Sequence, residues 1–182
     1  MTITASRTTS IRLTLSTDPL NPREDGDTFG KMVCFHGRYN LGDKHQYSTP
    51  DEFHDSKEFK KAIVKLPLYL YDHSGITMRT YPFYCHWDSG QVGYIIATME
   101  QYKVMSGRKS INKSLKAKLL ESLRSEVKLY DKYICGEVYD LTVVKDGEED
   151  TVCGFYGTDW ATNGVMDYVP EGMKNPELWE IE

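Results

Sequence analysis

Residues 110–133 read SINKSLKAKLLESLRSEVKLYDKY, and their spacing sets the frame for the whole chain. Ile111, Leu115, Leu119, Leu123, Val127 and Tyr130 recur every three or four positions, so a helix aligns them along one side. Lys113, Lys116, Arg124 and Lys128 fall off that stripe, and Gly136 supplies a stop. Strand patterns lie on both sides of this helix. Upstream, residues 91–98 are rich in Val, Tyr and Ile, which suits a mostly buried strand. Downstream, residues 137–144 and 151–156 read as a hairpin around Asp146 and Gly147, with a turn longer than the two-residue type.

Further from the helix, residues 66–71 form a strongly apolar strand and residues 78–84 another. Residues 31–36 read as a short strand. Residues 11–16 alternate Ile-Arg-Leu-Thr-Leu-Ser, a period of two that buries one face. A second helix opens at Thr49-Pro50-Asp51-Glu52. Thr49 can cap the first turn, Glu52 can reach back, and Pro50 fits the first helical position. Phe53, Phe59, Ile63 and Val64 would form its apolar stripe, and Pro67 would end it. Strands mostly follow strands, without βαβ alternation. The order predicts an α+β fold: a mixed or antiparallel sheet with two main helices packed on it and a C-terminal hairpin. At 182 residues, one domain over 1–182 is expected. Trp160 and Trp179 are expected to pack within the tail.

Composition narrows the class. Hydrophobic residues make up 40% and charged residues 27%, which argues against a disordered chain. No apolar run approaches the roughly 20 residues of a membrane helix. Residues 1–10 lack the apolar stretch of a secretory signal, so a cytoplasmic protein that avoids the membrane is expected. Cys34, Cys85, Cys135 and Cys153 are widely spaced and form no C-x-x-C pair. They read as reduced, packed thiols rather than zinc ligands.

Charge is uneven. Residues 103–132 hold nine Lys/Arg against three Asp/Glu, and residues 137–182 hold twelve Asp/Glu against two Lys. The basic segment, with Lys113 and Lys116, is the candidate for contact with phosphates. No helix-turn-helix, RNP or zinc-finger signature accompanies it, so a solvated helix face is the plainer reading.

All five histidines fall between positions 36 and 86. His36, His45, Asp72, His73 and Asp88 are the residues that could ligate a divalent metal or supply a general base. No helical His spacing fixes two of them on one face, so no cofactor is the expectation and a metal belongs to the rival reading. The run from Tyr71 to Gly75 reads as a turn that can carry Asp72 and His73 to the end of a sheet. Trp87-Asp88-Ser89-Gly90-Gln91-Val92-Gly93 is the most distinctive loop. Its glycines and hydrogen-bonding side chains allow close approach to a ligand, which makes Trp87, Asp88, Ser89 and Gln91 binding candidates. This loop is neither a phosphate loop nor the G-x-S-x-G elbow of hydrolases. The polar loops holding Arg23, Asp43 and Lys44 complete the candidate binding set.

The runs Asn21-Pro22-Arg23-Glu24, Met32 to His36, Leu41-Gly42-Asp43-Lys44-His45, Leu66 to Met78 and Trp87 to Gly93 together resemble a group of small accessory proteins of bacteriophages and mobile elements. The resemblance covers most of the chain. It implies an accessory protein acting in the host cytoplasm, and it carries no catalytic residues over. Cys85-His86-Trp87 departs from the Cys-Pro-Trp of that group, which makes His86 a poor candidate for an essential ligand. By analogy of context, such a protein binds a host protein or ribonucleoprotein complex that processes nucleic acid and blocks it, as an anti-CRISPR does. The reading therefore favours a non-enzymatic inhibitor. A metal-dependent hydrolase of nucleic acid or nucleotide is one rival, and a direct DNA- or RNA-binding protein is the other.

Overall fold

The computed structural model describes residues 9–24, 28–107 and 110–182. Arg108 and Lys109 of the basic segment, and residues 25–27 of the loop after Arg23, lie outside them. The chain divides into two compact units, Asn21–Cys135 and Met1–Leu20 with Gly136–Glu182. The α+β class is borne out, with helices beside antiparallel strands. The strands form two four-stranded sheets rather than one.

β1 (Thr9–Leu15) belongs to the other unit; the strands of the Asn21–Cys135 unit are β2 (Lys31–Cys34), β3 (Ala62–Asp72), β4 (Ile76–Arg79) and β5 (Ser89–Thr98). They pair antiparallel throughout in the order β2-β5-β3-β4. Alternation along the strands divides the apolar residues between two faces. Met32, Leu68 and Ile95 join Leu119, Leu123, Val127 and Tyr130 of the long helix α4 (Lys113–Ile134) in one core. Val33 and Ile96, one residue along, point the other way and pack with Phe53 and Phe59. The apolar stripe read from residues 110–133 is thus the face that α4 buries. Asn112 caps this helix, its side chain accepting from Leu115 N at 2.9 Å.

The helix expected from Thr49 to Pro67 is much shorter. α1 (Pro50–Asp55) begins as expected, with Thr49 Oγ1 accepting from Glu52 N at 3.2 Å. Glu52 reaches back one residue further than a capping box, accepting from Ser48 N at 2.7 Å. Ser56 then turns extended and caps a second short helix, α2 (Lys57–Lys61), accepting from Phe59 N at 3.1 Å. Ile63, Val64 and Pro67 belong to β3. β4 pairs only with Tyr69–Asp72, so β3 has an open edge at Pro67, where a missing N–H is tolerated. A further helix, α3 (Met99–Ser106), has no counterpart in the sequence reading. Its signal lies in Thr98-x-x-Gln101, which forms a complete capping box.

In the other unit, β1 (Thr9–Leu15) lies between β6 (Val138–Lys145) and β8 (Glu180–Ile181), and β7 (Glu148–Tyr156) flanks β6. β1 runs antiparallel to β6 and parallel to β8, which makes this sheet mixed. Asp146 and Gly147 have φ of 54° and 89°, so the hairpin closes with two residues, shorter than the sequence suggested. Residues 145–150 are too polar to show alternation, yet Lys145 pairs opposite Glu148 in the ladder. Ile11, Leu13, Leu141, Phe155 and Trp179 are buried together, with Trp160 packed against them. The Trp179 indole donates to Met173 O at 2.7 Å.

Candidate functional site

A groove of about 490 Å³ opens at the end of the β2-β5-β3-β4 sheet. Three segments build it: the turn after β2, the end of β3 and the loop before β5. Phe35 N donates to Val92 O at 2.7 Å, which holds the first segment against β5. His36 Nδ1 then accepts from Arg38 N and Tyr39 N at 3.2 and 3.3 Å, and its ring stacks on Tyr39. This turn aims the exposed Arg38 guanidinium at Asp72, with which it forms a hydrogen-bonded ion pair. Tyr39 Oη donates to the other Asp72 oxygen at 3.2 Å. The Arg38 hydrogen bond, against a smaller opposing effect of desolvation and with help from Tyr39, holds the Asp72 carboxyl below the usual aspartate range.

The second and third segments lock together. Asp72 N donates to Asp88 O at 2.8 Å, and His73 Nδ1 lies 3.4 Å from Asp88 Oδ2. Ser89 Oγ donates to Cys85 O, and Cys85 Sγ lies 3.5 Å from Asp88 Oδ2. The result is a tethered loop whose base is hydrogen-bonded and whose apolar side chains project outward. Tyr84 is 99% exposed and Trp87 is 96% exposed. Next to the groove, and sharing Phe35, Gln91 and Val92 with it, is a smaller recess of about 240 Å³ lined by Phe53, His54 and Tyr94.

The structure therefore brings together His36, Asp72, His73, Trp87, Asp88, Ser89 and Gln91. Other candidates lie elsewhere. Arg23 is buried, and its guanidinium donates to Asp43 at 2.6 and 2.7 Å, to Glu126 at 2.8 Å and to Gly30 O at 2.6 Å. Burial opposes the charge, but the two carboxylates outweigh it and raise the Arg23 pKa. This cluster ties the loops before and after β2 to α4, with Arg23 and Asp43 serving as its internal ions. Lys44 is exposed and only 4.0 Å from Glu24. Lys113 and Lys116 are exposed on α4 and do not line the groove.

The metal candidates are not gathered into one site. His45 packs between Phe35 and Tyr47, its Nε2 2.9 Å from Cys34 O and its Nδ1 buried without a hydrogen-bond partner. His36 is used in its turn, Asp72 in the pair with Arg38, and His73 faces Asp88 alone. Among the described residues, no three His, Cys, Asp or Glu side chains come together as a ligand set for a metal ion. Buried Cys34, beside Asp43, has its thiol pKa pushed up to about 12 by desolvation and that carboxylate, which suppresses the nucleophilic thiolate.

Arg38, Tyr84 and Glu126 do not stand out in the sequence. Arg38 sits in a polar loop with no periodicity. Tyr84 reads as part of a strand. Glu126 looks like one acid on a basic helix, and only its isolation among lysines hints at an internal partner. Comparison with protein-family models, curated proteins and solved structures finds no match for this chain. Among the described residues, no helix is long and apolar enough to cross a membrane.

Proposed function

We propose that this chain is a phage accessory protein that binds and inhibits a host nucleic-acid-processing defence complex, with the loop of Tyr84 and Trp87 as its contact element. The observation that carries the reading is a pair of nearly fully exposed aromatics on a loop whose base is tied to the sheet. A free Tyr and Trp gain nothing in water, whereas Trp, Tyr and Arg are the side chains that dominate binding at protein interfaces. Arg38 at the groove rim adds a third such group. The phage context comes from the sequence resemblance. The acidic segment 137–182 supports a partner with a basic channel.

The rival hydrolase would need its carboxylates free to hold a metal or take a proton. Asp72 is engaged by Arg38 and Tyr39, and Asp88 by His73 and Cys85. The test is titration of the purified protein into a panel of host defence complexes, a CRISPR nuclease loaded with its guide first. Inhibition complete near one equivalent is expected. Trp87→Ala should weaken it by about 2 kcal/mol, roughly thirtyfold, with folding unchanged. Failure to bind any such complex would sink the proposal. Sub-stoichiometric, EDTA-sensitive turnover would put the hydrolase in its place.

A further inference from the structure

A second recess, of about 480 Å³, lies between β4 with its following segment and α4. Its volume falls within the range of small-molecule sites. Met78 and Val127 are buried at its base, and its rim is cationic. Arg79 comes from β4, while Arg124 and Lys128 come from one exposed edge of α4, four residues apart. Among the described residues, the only carboxylate in the lining is Asp131. It is committed to β4, accepting from Thr77 Oγ1 at 2.8 Å and Met78 N at 2.7 Å. Arg124 shares its charge with exposed Glu121 at 3.4 Å. Among the described residues, neither Arg79 nor Lys128 has a carboxylate partner.

The aromatic side of this recess is pre-shaped. The Arg79 guanidinium donates to Tyr81 O at 3.1 Å and to Pro82 O at 2.6 Å. It also lies 4.2 Å from the centre of the Tyr81 ring and 3.7 Å from that of Phe83. One cation thus fixes two rings, while the Tyr81 side chain remains 58% exposed. Phosphate-binding charge beside a held, accessible ring is the combination that single-stranded nucleic acid uses, through its backbone and the faces of its bases.

We infer that this recess binds a nucleotide unit, with its phosphate at Arg124 and Lys128 and its base stacked on Tyr81. The unit comes either from a single strand or from a free nucleotide. The site uses residues other than those of the Tyr84–Trp87 contact and does not depend on that reading.

The test is fluorescence anisotropy at low salt with a labelled thymidine oligonucleotide of about ten residues, thymidine monophosphate as competitor, and a duplex of equal length. Binding of the strand is expected to exceed that of the duplex. Tyr81→Ala should weaken it roughly tenfold, as expected for removal of one stacked base. Lys128→Glu should weaken it more and lower the salt slope by about 0.7 for each phosphate that the protein no longer neutralises. Lys113→Glu makes the same charge change on the same helix, about 22 Å away along its axis, and should have little effect. Melting curves confirm that each variant is folded. Full competition by the monophosphate identifies a free nucleotide as the ligand, and binding of the strand alone identifies a nucleic-acid segment. No binding by the unaltered protein would overturn the inference. So would an unchanged affinity in Tyr81→Ala, or equal losses in Lys113→Glu and Lys128→Glu.

Discussion

Replacing Arg23 with Met probes the ion cluster that holds the groove-bearing unit together. Met keeps most of the length of the side chain and removes only its charge and donors. Asp43 would lose both guanidinium bonds, Glu126 one, and Gly30 O its donor. The Arg23 side chain is 1% exposed, so water does not replace these bonds on the arginine side. Breaking a buried pair by removing one partner costs about 3–5 kcal/mol. Here the carboxylates keep some solvent, at 21% and 13% exposure, and keep their backbone donors Met32 N, Phe29 N and Gly30 N. That places the expected loss near the low end, about 3 kcal/mol. At a urea slope of roughly 1.5 kcal/mol per molar, the midpoint should fall by about 2 M. Far-UV circular dichroism is the readout, because α4 belongs to the same unit. Combining the change with Asp43→Asn and Glu126→Gln should recover part of the loss, since no unpaired carboxylate then remains. A loss below about 1 kcal/mol, the size of an exposed pair, would refute the reasoning, as would strict additivity of the three changes.

Two more outcomes follow from local geometry. A Cβ on Gly93 would sit 2.0 Å from Val33 O, whereas one on Gly90 would meet nothing within 4 Å. Gly93→Ala should therefore part β2 from β5 and lower the melting temperature sharply, while Gly90→Ala should leave it nearly unchanged; thermal melts of the two variants side by side decide this. Asp72 has its folded-state pKa lowered below 3.8 by Arg38, so the favourable Arg38 pairing is complete above the ordinary aspartate value and disappears as pH falls through the lowered one. Carboxyl NMR should show Asp72 titrating below the ordinary aspartate value, with the midpoint rising in Arg38→Ala; an unmoved midpoint in that variant would remove Arg38 as the cause.

The α4 stripe, the cap at Thr49 and the strand at 11–16 are all legible because each is a local pattern. An apolar residue repeated at the helical or strand period means burial of one face, whatever lies opposite. The same logic misleads at residues 56–67, where Ile63 and Val64 continue a plausible helical stripe. Only the pairing of β3 with β5 makes those residues extended. The polar ends of the β6–β7 hairpin are invisible for the reverse reason, because strands exposed on both faces carry no alternation.

The candidate site divides in the same way. The loop from Trp87 to Gly93 stands out by composition, and Trp87 to Val92 do line the groove with Asp72, while His73 faces Asp88. Arg23 and Asp43 stand out equally, because a charged side chain in a polar loop looks the same whether it meets solvent or an internal partner. Arg23 finds Glu126 at a separation of 103 residues, and Arg38 finds Asp72 at 34. From sequence alone came α4 with its buried face, the start of α1, most of the strands and the chemically unusual loops, since these depend on neighbours within a turn or a strand. Tertiary structure alone decided the division into two sheets, which charges are internal, and which aromatics are left in water, because each depends on where distant segments return.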